Sequence, residues 1–261
     1  MKGNADMDIG AEIIFIIIVF LFIMGSMFGW VLELFFRRFI STSNPERRWI
    51  NPGFLVGPWL PIYGFGLVLL FFLSLIPYLS IDLKFNKVLL MILIMGLSMT
   101  LIEYIAGRIF INGMHIKLWD YSDIPFNFQG IICLRFSIIW TLLGALYYYF
   151  INPHVVRMVT WLNENIAFSF VVGFVYGMIT IDVCYSLGIV SKVRNFAVNN
   201  NIIVYYEELR LQVHLLELEA KSRQNFLFSL KSNLPLKNVL ERYLERYRER
   251  IRKITDIRDQ K

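Results

Sequence analysis

Residues 13–38 read IIFIIIVFLFIMGSMFGWVLELFFRR, and residues 88–108 read VLLMILIMGLSMTLIEYIAGR. Each is an apolar run long enough to cross a bilayer core about 30 Å thick, which takes about 20 helical residues. Each also closes in the same way, with a glutamate, four intervening residues and an arginine: Glu33 to Arg38 and Glu103 to Arg108. A carboxylate inside a membrane segment costs roughly 2.5–3.5 kcal/mol on insertion scales, so its appearance twice in matching positions calls for a partner or a job.

The whole chain fits that frame. Its 261 residues are 57% hydrophobic with a mean hydropathy of +0.56, more than a soluble core needs. Three further stretches, 54–79, 131–151 and 166–190, qualify as spans beside 13–36 and 88–111. The expected fold class is all-α: a polytopic membrane protein with five transmembrane helices and an amphipathic helical tail. Lys2 followed by Asp6, Asp8 and Glu12 lacks a basic leader, so the first span reads as an uncleaved helix.

Basic residues sort the sides. The first loop carries Arg37, Arg38, Arg47 and Arg48, against Lys84 and Lys87 in the second and Arg157 in the fourth. Residues 1–191 hold 11 basic and 11 acidic side chains, so the net charge of +6 resides in the tail. These counts predict a cell-membrane protein with its N-terminus outside and its C-terminus cytoplasmic. A transmembrane domain over 1–191, two tandem two-helix hairpins plus a fifth helix, precedes a cytoplasmic tail over 192–261. Cys133 and Cys184 fall within spans and read as small apolar residues.

The segment Trp49–Gly66 carries Pro52, Pro58 and Pro61 among four glycines, so the second span should begin with broken backbone. In lipid such backbone survives only when buried in protein or lining a watery cavity; a simple proline-initiated helix with small-residue contacts is the plainer alternative. The third loop, Trp119–Gly130, is aromatic and polar at once. It suits an interfacial anchor or a site that includes Asp120, Tyr121 and Asn127 beside Arg135. Glu33 aligns with Glu103 at an offset of 70 residues and Asn51 with Asn127 at 76, which suggests a tandem repeat of hairpins with a site at their interface.

In the tail, Leu209, Val213, Leu216, Ala220 and Leu227 keep near-heptad spacing. After Asn233-Leu234-Pro235 come Leu236, Leu240, Tyr243, Tyr247, Ile251 and Ile254. Two amphipathic helices, as a hairpin or coiled coil, are expected. The face carrying Arg242, Arg246, Arg248, Arg250 and Arg252 is either a solvated surface paired with Glu241, Glu245 and Glu249 or attracted to anionic lipid. The apolar stripe favours self-association or partner docking over nucleic acid.

Five motifs in order, Gly29-Trp30-x-x-Glu33, Asn51-x-Gly53-Phe54-Leu55-x-Gly57-Pro58-x-x-Pro61-Ile62-Tyr63-Gly64, Glu103-x-x-x-Gly107, Trp119-Asp120-Tyr121-Ser122 and Asn127-x-x-Gly130-Ile131-x-Cys133, resemble the membrane family labelled "putative ABC-transporter type IV", the CmpB-like permeases. The resemblance covers residues 17–155. It implies a small multi-pass protein of mainly Gram-positive bacteria, named as a transporter permease without an assigned substrate. Pro52 departs from the family's usual arginine, with Arg47 and Arg48 nearby as replacements.

Other motifs are missing. There is no G-x-x-x-x-G-K-[ST], so a permease of this kind needs a separate ATPase subunit, with the tail and then the first loop as its most available docking surfaces. Neither G-x-S-x-G nor H-E-x-x-H occurs. His115, His154 and His214 lack ligand spacing, so no metal or cofactor is expected. The candidate ligand-binding residues are Glu33, Asn51, Tyr63, Glu103, Asp120, Tyr121, Asn127 and Arg135, in a cytoplasm-facing cavity. Arg135 is placed to pair with Glu103 or Asp120, and Asp182 reads as helix glue or a proton relay. No catalytic residue is assigned. The alternatives are an intramembrane enzyme acting on a lipid head group, with a carboxylate as general base, and a scaffold that recruits a partner through its tail.

Overall fold

A computed structural model describes residues 2–41, 44, 47–76, 84–219 and 235–259. Eight α-helices carry the described chain: α1 (Lys2–Phe39), α2 (Pro61–Leu75), α3 (Lys84–Ile109), α4 (Leu134–Leu146), α5 (Asn152–Glu164), α6 (Ser169–Asn199), α7 (Tyr206–Glu219) and α8 (Leu236–Asp259). Four two-residue strands, β1 (Ile116–Lys117), β2 (Asn127–Phe128), β3 (Ile132–Cys133) and β4 (Val204–Tyr205), form two small ladders. β1 pairs parallel with β4, and β2 antiparallel with β3.

Among the described residues, four helical stretches are long and apolar enough to cross a membrane: Ala11–Phe39, Lys87–Met114, Leu134–Glu164 and Ile166–Asn199. Of the five expected spans, the second is represented among the described residues by a shorter apolar helix. The helix α2, in the expected span 54–79, is 15 residues long, about 22 Å at 1.5 Å per residue. The cause lies in the prolines: the backbone stays non-helical from Arg48 to Leu60, and helix begins only at Pro61, where a missing N–H costs nothing. Residues 77–79 lie outside the described residues. The fourth predicted span also differs, because π-helical Tyr147–Ile151 passes directly into α5 and carries helix through Arg157 to Glu164.

The hairpins α1–α2 and α3–α4 pack through glycine contacts. A Cβ on Gly29 would fall 2.1 Å from Cγ of Tyr63, and one on Gly64 would fall 2.3 Å from Oγ of Ser26, so the α1 and α2 backbones approach as only glycine permits. Between the hairpins lies a core that includes Leu21, Phe71, Met95, Trp140 and Tyr147.

The tail is not a free appendage. Helix α6 runs unbroken past residue 191 to Asn199, so the expected domain boundary falls inside a helix. Leu209, Val213, Leu240 and Tyr243, four of the eleven residues of the predicted stripe, are buried with Val190, Val193 and Ile116 in the chain's own core. These four residues therefore find burial within the chain. Ile251, expected on that stripe, is exposed. The side chains of Leu216, Ala220, Leu227 and Ile254, and the break at Asn233-Leu234, lie outside the described residues. On α8, Arg242, Arg246, Arg248 and Arg252 are exposed, and Arg250 reaches Glu208 on α7 at 2.6 Å.

Candidate functional site

The first carboxylate is held by two donors. Arg37 Nε gives Glu33 a hydrogen bond of 2.9 Å and Tyr63 OH one of 3.1 Å. The partner is Arg37 and not Arg38, because residues four apart share a helix face whereas residues five apart point about 140° away from each other. The second carboxylate differs. Glu103, 3% exposed, accepts from Trp140 Nε1 at 2.9 Å and Tyr121 OH at 3.0 Å. Arg108 turns instead to Gln129 at 3.3 Å, so the repeated Glu-x4-Arg spacing does not mark a repeated ion pair. Four residues beyond Glu103 stands Gly107, where the first hairpin has Arg37.

The two carboxylates meet through their donors. The rings of Tyr63 and Trp140 lie 5.7 Å apart, centroid to centroid, at 60°. Tyr121 stacks on Phe136 at 4.6 Å. Glu33, Tyr63, Glu103 and Tyr121 thus form one connected cluster, joined by Trp140, which sequence reasoning did not select. An indole N–H inside a span must find an acceptor, and that requirement was the available signal.

Asn51 is fully buried and fully used. Its Oδ1 accepts from Trp30 Nε1 at 2.8 Å and from the Gly53 amide at 3.3 Å, while Nδ2 donates to Leu55 O at 2.9 Å and Val56 O at 3.2 Å. Asn127 makes the same kind of staple on the exposed third loop. It accepts from the Gly130 amide at 3.1 Å and donates to Ser122 O at 3.1 Å and Ile124 O at 2.8 Å. Asp120 sits apart from the carboxylate cluster, bonded by Lys117 at 2.6 Å and by the Ser122 hydroxyl at 2.6 Å. Partial burial pushes its carboxyl up, but the hydrogen bonds from Lys117 and Ser122 win and hold it below the ordinary carboxylate range.

Arg135 corrects the sequence reading. It is exposed and makes no hydrogen bond or ion pair among the described residues. Its expected partners are already taken, Glu103 by neutral donors and Asp120 by Lys117. On α4 it stands five residues from Trp140, on a different face from the indole that reaches Glu103.

Asp182 on α6 fastens the broken segment. Its carboxylate accepts from the Val56 amide at 3.0 Å, the Gly57 amide at 2.7 Å, Trp59 Nε1 at 2.8 Å and Ser186 Oγ at 3.0 Å. Helix glue is the role this geometry supplies, because each backbone donor freed by the prolines between Asn51 and Pro61 must find an acceptor. The guanidinium that reaches the backbone beside Pro52 comes from the tail: Arg210 donates to Asn51 O at 3.0 Å. Arg47 binds backbone carbonyls of Arg38 and Ser41 instead.

Pairs from the two hairpins recur at constant offsets, 70 residues for α1 to α3 and 77 for α2 to α4. Glu33 with Tyr63 becomes Glu103 with Trp140. Gly25 against Leu67, 2.7 Å from a built Cβ, becomes Met95 against Gly144 at 3.1 Å, with small and large exchanged. Ser26 against Gly64 at 2.3 Å becomes Gly96 against Thr141 at 2.1 Å. The offset of 77 rather than 76 also superimposes Gly53 on Gly130.

A helical membrane protein is the class these long apolar helices and their buried polar cluster define. Within it, the chain belongs to the family described as "Putative ABC-transporter type IV", whose profile matches residues 20–187. The match runs beyond the 17–155 expected and takes in most of α6 with Asp182. No curated protein and no solved structure matches the chain.

Proposed function

We propose that the chain is the membrane subunit of a transporter driven by a separate ATPase, with Glu33, Tyr63, Glu103, Tyr121 and Trp140 as the site its substrate engages near the cytoplasmic surface. Asn51, Asp120 and Asn127 shape the loops around that site. The N-terminus lies outside, the α2 segment completes a fifth crossing, and the tail is cytoplasmic. The two hairpins are tandem repeats that meet at Tyr63 and Trp140. The observation that carries this reading is the contact of those two rings, each the donor to its own hairpin's carboxylate. Sites at the interface of internal repeats are how several transporter folds build a pathway.

The test is ATP hydrolysis by the ATPase subunit this reading requires, in nanodiscs with this chain. Stimulation by the wild type that falls at least tenfold in Glu103→Gln at unchanged melting temperature supports the reading; equal stimulation by both rejects it. A second reading, a scaffold whose polar groups only lock helices, is favoured by Asn51 and Asp182, whose polar atoms are spent on neighbouring backbone and side chains. Under it, Glu103→Gln lowers the melting temperature and leaves stimulation alone. The exposed, charged face of α8 is then the surface for a partner or a second copy, since Leu209, Val213, Leu240 and Tyr243 of the apolar stripe are already covered.

A further inference from the structure

The segment 204–210 touches both hairpins at once. Toward the first, Arg210 donates to Asn51 O at 3.0 Å and Tyr206 OH to Gly53 O at 2.9 Å. Glu207 takes the second hand of Arg37, whose Nε holds Glu33. Toward the second, β4 lies alongside β1 in register Ile116 with Val204 and Lys117 with Tyr205, and the Val204 amide donates to His115 O at 2.9 Å. Seven consecutive residues thereby bridge the loop that opens α2 and the loop that leaves α3.

We infer that residues 204–210 are a strap that closes the end of the Glu33–Glu103 cluster, with Glu207 as its latch. This rests on the reading of that cluster as the working site. The latch is a shared ion: Glu207 is bonded by both Arg37 and Arg210, the latter at 2.8 Å, and Arg37 is shared in turn with Glu33. Removing Glu207 leaves two guanidiniums close together with one carboxylate fewer between them, so like-charge repulsion drives the strap from the first hairpin. The other end holds by strand pairing and apolar burial of Val204 and Ile116, which have no charge to lose. The strap therefore opens from the Asn51 side and stays hinged at β1. For hairpin one to move against hairpin two about the Tyr63–Trp140 contact, Arg37 must exchange Glu207 for another partner, which couples tail position to the charge beside Glu33.

Hydrogen exchange by mass spectrometry on the full chain in nanodiscs tests this. Glu207→Gln speeds exchange over residues 50–57 roughly tenfold, the scale of one charge-assisted contact on an opening equilibrium, and leaves 152–180 unchanged. A disulfide between cysteines placed at 116 and 204, in a Cys133→Ala and Cys184→Ala background, keeps 115–133 protected while 50–57 still opens in the Glu207→Gln chain. Unchanged exchange at 50–57, or an equal rise at 152–180 that marks general loosening, overturns the strap. Exchange is read without transport, so failure here leaves the ATPase test of the cluster standing, and loss of that test leaves the strap measurable.

Discussion

Tyr63 and Trp140 stand 5.7 Å apart at the seam of the two hairpins, and each donates one hydrogen bond to the glutamate of its own hairpin. The resemblance ends at the next contact. Glu33 also has Arg37, whereas Glu103 has Tyr121 and, at the position that matches Arg37, Gly107. Gly107 has no room for the longer side chain, because a Cβ there would meet Ile131 at 2.4 Å.

Removing the two donors therefore has unequal effects. Trp140→Phe leaves a nearly enclosed carboxylate with one neutral donor, a loss of about 1–3 kcal/mol by the desolvation argument. Tyr63→Phe costs less, since Arg37 still serves Glu33. Thermal unfolding in detergent gives the order, and a double substitution whose cost departs from the sum by more than about 0.5 kcal/mol reports coupling between the two donor–carboxylate pairs.

Glycine substitutions separate seam from lipid face. Gly29→Ala drives a methyl into Tyr63 and lowers the melting temperature together with whatever the Tyr63 bond supports. Gly177→Ala on α6 meets open space and gains about 0.5–1 kcal/mol from helix propensity. Opposite shifts of melting temperature are the expected result.

Asp182→Asn keeps one oxygen for four donors and turns its amide N–H toward the Gly57 amide and Trp59. The expected loss is about 1–3 kcal/mol, felt first in residues 53–60. Proteolysis at that segment, or faster exchange of the Val56 and Gly57 amides, checks it.

Docking of α7 depends on pH through Glu207. Burial pushes its carboxyl up, but Arg37 and Arg210 outweigh burial and hold it below the ordinary carboxylate range. A group depressed on folding contributes its full stability above the unfolded carboxylate pKa and loses it as pH falls through the folded one. The α7 contact should thus be intact at neutral pH and weaken below the normal carboxylate range, with Glu207→Gln flattening that limb of a melting-temperature profile.

The membrane helices were legible because hydropathy over about 20 residues is a local property. The short α2 was half legible: the prolines announced broken backbone, but not that Asp182, 125 residues beyond Gly57, would fasten it. The carboxylates Glu33 and Glu103 stood out by their insertion cost. Tyr63 and Tyr121 were among the candidates beside them, but Trp140 was not, because its approach to Glu103 from α4 is a matter of tertiary packing. Arg135 misled for the same reason, since its nearness to the loop in sequence says nothing about which face of α4 it occupies. The tail's stripe was visible, yet its partner, the chain's own α6 and β1, was not, as amphipathicity gives the need for burial without its address.

The central claim, that Glu33 and Glu103 act as one site, is tested most directly by ATPase stimulation in Glu33→Gln, Glu103→Gln and the double substitution, each matched for folded fraction. Groups acting as a unit are strongly non-additive, so the double substitution should lose no more than the worse single one. Undiminished stimulation in both singles, or losses that multiply, would contradict it.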